Sequence, residues 1–218
     1  MLELFENPVF FQILAMAGAA GAILGALIAG VAYRGKLGER YSPFNHFISE
    51  LGELGVSRLA WVFNLGLILC GLCLLPACIS LGLLLPGVWS KLGMAAGVIA
   101  AVSVALVGVF PMNKLTPHIW AAVTYFRSGL AMVFFFTLAI ALQPQDPPLL
   151  PRLFSLAGLP AVLAFAYFLV FSRVTYQTPQ NPLSPLESER PRFWSMAAAE
   201  WTIFLTTVPL FLAVALGL

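Results

Sequence analysis

The chain has 218 residues, of which 61% are hydrophobic and 9% charged, with a formal net charge of +2. A soluble domain carries about 25% charged residues, so this sequence has too little polar surface to coat a globule in water. Its 11 Lys and Arg are scattered and too few for a nucleic-acid groove.

A transmembrane helix needs roughly 20 mostly apolar residues. Six stretches qualify, at about 9–33, 60–84, 88–110, 117–142, 153–172 and 194–217. No run alternates in the manner of a membrane barrel strand, and a helix satisfies its own backbone in lipid. The expected fold is therefore all-α: a polytopic bundle of about six transmembrane helices forming one integral membrane domain over 1–218. The run from Val9 to Tyr33 follows an acidic start (Glu3, Glu6) and is too long for a signal-peptide core of roughly 7–15 residues, so it is expected to stay as a helix. Within it, Gly21 and Gly25 form a small-xxx-small pair. Such a pair lets another helix approach closely, either in the same chain or in another membrane subunit.

The first loop, Tyr41 to Gly55, is the most informative stretch. Ser42-Pro43 reads as a helix N-cap followed by proline at the first position, and the predicted helix runs to about Glu53, ended by Gly52 or Gly55. On a helix Phe44, Phe47, Ile48, Leu51 and Leu54 share a broad apolar face; His46, Glu50 and Glu53 fall on another, beside Asn45, Ser49 and Gly52. The pattern predicts a short amphipathic helix in the membrane interface. His46 and the glutamates are then either its wet face or, with Ser49, part of a site turned to the bundle mouth.

Beyond the loop, Asn64 lies in the second span, where Cys70, Cys73 and Cys78 read as packing residues, since nothing around their CxxC spacing completes a metal or redox site. Leu85-Pro86-Gly87, Pro111 with Pro117, Gln143 to Pro151 and Thr178 to Pro191 mark the later connections. The loops after the first, third and fifth spans carry Arg34, Lys36, Arg40, Arg58, Lys114, Arg173, Arg190 and Arg192; the opposite side carries Lys91 and Arg152. That bias makes the basic loops cytoplasmic and puts both termini outside.

Ionisable residues within spans face a partner or a wet cavity. Arg127 and Glu200 enter from the basic side to similar depth and are predicted to pair. His118 and Arg127 are nine residues apart, which at about 100° per residue puts them on opposite faces of the fourth span; Tyr125 shares the face of His118. His46, Glu50 and His118 make the one set that a catalytic metal of three protein ligands would take. Sequence motifs for serine hydrolases, zinc proteases and nucleotide-binding loops are absent, and no cofactor is expected.

Tyr41-x-Pro43-x-x-His46-x-Ile48-Ser49-Glu50-Leu51-Gly52, then Trp61 and Asn64-x-Gly66, resembles the signature of the bacterial and archaeal membrane family known as domain of unknown function nine-nine-eight. Gly108-x-Phe110-Pro111 followed by His118, and Glu189-Arg190 before Trp194, continue the likeness along nearly the whole chain. Asn113 departs from the pattern, standing where many members have an acid. The Ile48-Ser49-Glu50-x-Gly52 core is more distantly similar to the eukaryotic DRAM and Frag/Sfk-like proteins, which are linked to lipid remodelling. The likeness implies a prokaryotic cell-membrane protein with a lipid-facing polar mouth. Many members begin with a basic N-terminus, which implies the opposite orientation.

These readings converge on a lipid head-group site. His46, Ser49, Glu50 and His118 are the candidates for chemistry, with Ser49 or a water as nucleophile and a histidine as base. Asn45, Glu53, Asn64, Tyr125, Arg127 and Glu200 form the polar pocket, and Arg190 and Arg192 contact an anionic head. An accessory subunit of a larger membrane complex, docked through Gly21 and Gly25, and a small-solute transporter are the other function classes that fit.

Overall fold

The computed structural model describes residues 2–176 and 190–218. Its α-helices are α1 (Leu2–Phe5), α2 (Pro8–Ala32), α3 (Ala60–Leu84), α4 (Val88–Val109), α5 (Leu115–Ala141), α6 (Gly158–Tyr176) and α7 (Ser195–Gly217). Two short 3-10 helices lie at Ile48–Gly52 and Arg152–Ala157. The expected fold class is the one observed: among the described residues 6 helical stretches are long and apolar enough to cross a membrane. The fifth of these, Arg152–Ser172, opens as the second 3-10 helix before α6 begins.

Side-chain size, rather than polarity, separates the two faces of α2. In α2 the buried positions are Ala15, Gly18, Ala19, Ala22, Gly25, Ala26 and Ala29 together with Phe11, whereas Ile13, Leu24, Leu27, Ile28 and Val31 are exposed. Lipid is as apolar as leucine, so burying a large side chain gains little; helices associate where small residues let backbones touch. Gly21 and Gly25 face Gly66 of α3, so this pair packs within the chain. Gly71 of α3 likewise meets Ala101 of α4, and Gly108 of α4 meets the backbone of Asn64. The helices α2 to α5 therefore form a tight run of neighbours. α6 packs on α5 and α7, and α7 returns to α2, closing the ring more loosely.

At the end away from the first loop the connections are plain. Buried Gln143 ties its own turn by donating to the carbonyls of Ile140 and Leu150 and accepting from the Leu150 N–H. The other end receives residues 33–59, the short turn between α4 and α5, and residues 190–194. The Thr178–Pro191 loop expected from the sequence lies outside the described residues except for its last two positions.

Candidate functional site at the bundle mouth

The first loop does not form the amphipathic helix that its periodicity predicts. Ser42 starts a single turn, its carbonyl accepting from the His46 N–H at 2.9 Å, and the chain then extends through Phe47 before the 3-10 helix Ile48–Gly52. The physical reason is where its backbone donors go. The Phe47 N–H reaches Glu50 Oε1 at 2.8 Å, and the Ile48 N–H reaches Glu200 Oε2 of α7 at 2.7 Å, with the Ser49 N–H also directed at Glu200. A continuous α-helix would direct these N–H groups along its own axis and leave Glu200 without them. His46 and Glu50, at 2% and 6% exposure, are buried, so the reading that made them a wet face is overturned. The segment is a plug in the bundle mouth.

Further side chains hold the plug. Arg190 grips Glu50 through both guanidinium nitrogens at 3.0 Å and donates to the Asn45 carbonyl at 2.7 Å. Burial works against the Arg190 charge, but the hydrogen bonds and charge of Glu50 outweigh it and hold the guanidinium above its ordinary pKa. The Trp201 indole donates to the Tyr41 hydroxyl at 2.8 Å, which donates to the Phe47 carbonyl at 2.9 Å. Burial, reinforced by the charges of Glu200 and Glu50, pushes the Tyr41 hydroxyl up and keeps it a donor. Asn64 donates to the Gly52 carbonyl at 3.0 Å. Asn113 both accepts from the Leu54 N–H at 2.6 Å and donates to its carbonyl at 2.8 Å. An ionised acid at position 113 could accept but not donate, so Asn113 makes a pair of bonds to Leu54 that a carboxylate could not.

Beneath the plug is a cavity of about 120 Å³ between α2, α3, α4, α5 and α7. Ser49, His118, Tyr125 and Glu200 line it together with apolar side chains reaching down to Ala77, Met132 and Phe211. His118 Nδ1 lies 2.7 Å from the Phe110 carbonyl. A carbonyl only accepts, so Nδ1 carries the proton and Nε2 of the neutral ring is left as an acceptor. From Glu200 to Phe211 the cavity wall descends about 16 Å along α7, close to the half-thickness of a hydrocarbon core of ~30 Å.

Other expected site residues lie elsewhere. Arg127 does not pair with Glu200: it is exposed on the outer face of α5, opposite buried His118, and Glu200 takes backbone N–H groups instead. His46 packs against Tyr33, with ring centroids 5.4 Å apart, and bonds Asn45 Oδ1 at 2.7 Å, outside the cavity. Neither its hydrogen bonds nor those of His118 reach Ser49. Among the described residues no three His, Cys, Asp or Glu side chains gather to hold a metal, so His46, Glu50 and His118 do not form one centre. Glu53 sits at the rim, 3.6 Å from Lys36, and Arg192 is exposed. Tyr33, Trp201 and Asn113 were not predicted as part of the mouth. Their shared signal is an aromatic or amide at a span end, which marks interface anchors equally well.

A family model described as "Protein of unknown function (DUF998)" matches residues 16–217. The chain belongs to that family. No curated protein matches it, and neither does any solved structure. The stretch from Tyr41 to Gly52, on which the resemblance was read, lies within the matched residues and is the plug itself, and Phe110 supplies the carbonyl that orients His118.

The buried histidine of this motif gives a pH prediction. Burial, aided by the Arg190 charge, lowers the His46 pKa from 6.5, against the opposing pull of Glu50, Glu39 and the Ser42 backbone. The folded protein then binds fewer protons than the unfolded chain between the lowered value and 6.5, so this residue's contribution is complete above 6.5 and is lost as pH falls through that window. Thermal melts in detergent from pH 8 to 5 should show a steeper acid decline for the native protein than for His46→Gln. Parallel profiles would refute the assignment.

Proposed function

We propose that this integral membrane protein binds a membrane amphiphile, with the chain in the apolar cavity and the head group at Ser49, His118, Tyr125 and Glu200. The observation that carries this reading is the cavity's polarity: its walls are mostly apolar, and Ser49, His118, Tyr125 and Glu200 lie toward the end that the plug covers, with the Thr207 hydroxyl farther down. An apolar cavity of roughly 150 Å³ stays dry and takes hydrocarbon ligands, and 120 Å³ is of that order. A water-soluble solute gains little from such walls. The likeness of the first-loop motif supports placing the protein in a prokaryotic cell membrane.

The test is native mass spectrometry after mild detergent extraction, comparing the native chain with Ala122→Phe, which fills the cavity from α5. The native chain should carry a lipid-sized adduct, and Ala122→Phe should lose it while keeping its melting temperature within a few degrees. A native chain that carries no adduct, and whose melting is unmoved by added single-chain amphiphiles, would end the proposal.

A subunit role has one observation in its favour, which is Arg127 rather than the glycines of α2. A charge on the lipid side of a span costs at least ~2.5 kcal/mol, and an acidic partner helix would relieve it. A stoichiometric protein partner lost in Arg127→Leu would establish that role.

A further inference from the structure

One polar group of the cavity lies below the others and takes no part in holding the plug: the hydroxyl of Thr207. Its meaning rests on the amphiphile reading and concerns the chain of that amphiphile. We infer that the bound molecule has an oxygen-bearing group part-way down its chain, roughly 10 Å below its head, hydrogen-bonded to the Thr207 hydroxyl.

Three observations carry it. First, Thr207 is 8% exposed and lines the cavity, and its Oγ1 has no hydrogen-bond partner among the described residues. Hydroxyls elsewhere in the spans are satisfied locally. Ser103, Thr137 and, in α7 itself, Thr202 and Thr206 each donate to the carbonyl four residues back. A hydroxyl out of water and without a partner is costly, so the cavity wall has a polar position left to fill. Second, the neighbours of Thr207 disfavour water. The cavity-lining residues of α7 within about one turn of it are Ile203, Phe204, Val208 and Phe211, all apolar, whereas an enclosed water needs about two to four polar partners. Third, the register suits an extended chain. Glu200 and Thr207 are seven residues apart, which puts them on one face of α7 and roughly 10 Å apart along it. With C–C bonds of about 1.5 Å in a zigzag, an extended chain covers roughly 10 Å in about eight bonds. A head lodged beside Glu200 therefore brings about the eighth carbon of its chain level with Thr207. A threonine hydroxyl both donates and accepts, so a hydroxyl, carbonyl or ether oxygen at that point completes it. A plain hydrocarbon chain leaves it unpaired.

The experiment uses the delipidated full chain in an uncharged detergent and three single-chain probes. These are dodecyl alcohol and two isomeric diols made from it, with the second hydroxyl on about the eighth carbon or next to the far end. Binding is read as a shift in melting temperature against concentration, with Ala122→Phe subtracting partition into the micelle. The mid-chain diol should bind about fivefold more tightly than its isomer, the net worth of one hydrogen bond. Thr207→Val keeps the side-chain shape and removes the hydroxyl. It should abolish that preference and leave dodecyl alcohol binding nearly unchanged. Without ligand it should melt no lower than the native chain, since no bond within the protein is lost. Isomers that bind the native chain equally overturn the mid-chain inference and leave the amphiphile reading standing, as does a preference that survives Thr207→Val. Ligand-free melting of that variant several degrees below native overturns it too, because the hydroxyl would then be bonded within the protein. If none of the three probes binds beyond the Ala122→Phe background, the amphiphile reading falls and this inference with it.

Discussion

Glu50→Ala is expected to destabilise the protein by about 3–5 kcal/mol, the range for removing one partner of a buried ion pair. The Glu50 and Arg190 side chains are 8% and 15% exposed, so solvent does little to screen the charge left behind. The loss has two parts. Arg190 becomes a buried, unpaired guanidinium, and the Phe47 N–H loses its acceptor at the start of the 3-10 helix. Glu50→Gln keeps an acceptor for Phe47 and should cost less. The double variant Glu50→Ala with Arg190→Ala should be more stable than the sum of the two single losses, because the second change removes the stranded charge. Chemical or thermal unfolding in detergent, run as a double-mutant cycle, measures this. Additive single effects would show that the pair is not a unit.

Gly66→Ala is expected to be the next most damaging change, at about 1–3 kcal/mol or more. A Cβ at Gly66 would sit 2.5 Å from the Gly21 carbonyl oxygen and 3.2 Å from the Gly25 Cα. Both obstacles are backbone, so α2 and α3 must part along the seam that anchors the plug. Gly30→Ala is the matched comparison within α2, since its nearest new contact is Leu51 Cδ2 at 3.9 Å. Alanine is favoured over glycine inside a helix by about 1 kcal/mol, so that variant should melt at or above the native temperature. Equal melting of the two variants would mean that the close approach of α2 and α3 contributes nothing.

The bundle was legible in the sequence because each crossing needs a long apolar run, and little else in a chain produces one. The loaded face was legible for a similar reason: polar residues are scarce, and those near span ends belong to one side. The rotation argument also separated His118 from Arg127, since nine residues turn a helix by two and a half turns. Pairing Arg127 with Glu200 ignored that argument and relied on depth and sign alone; once His118 and Tyr125 face the cavity, Arg127 must face away. The plug was illegible for a different reason. Its periodicity fits an amphipathic helix when read locally, but its conformation is set by carboxylate and indole groups of α7 and by Arg190, far along the chain. Local pattern contains no term for such partners.

The Ile48 N–H and its acceptor on Glu200 are 152 residues apart, and Glu50 and Arg190 are 140 apart. A ribosome adding about 5–20 residues per second needs roughly 8–30 s to make that interval. During it the first loop has been made but α7 has not, so Glu50 and His46 wait at the membrane surface in contact with water. The mouth is therefore closed only when α7 arrives, and insertion of α7 is the step that converts an open helical scaffold into a covered cavity.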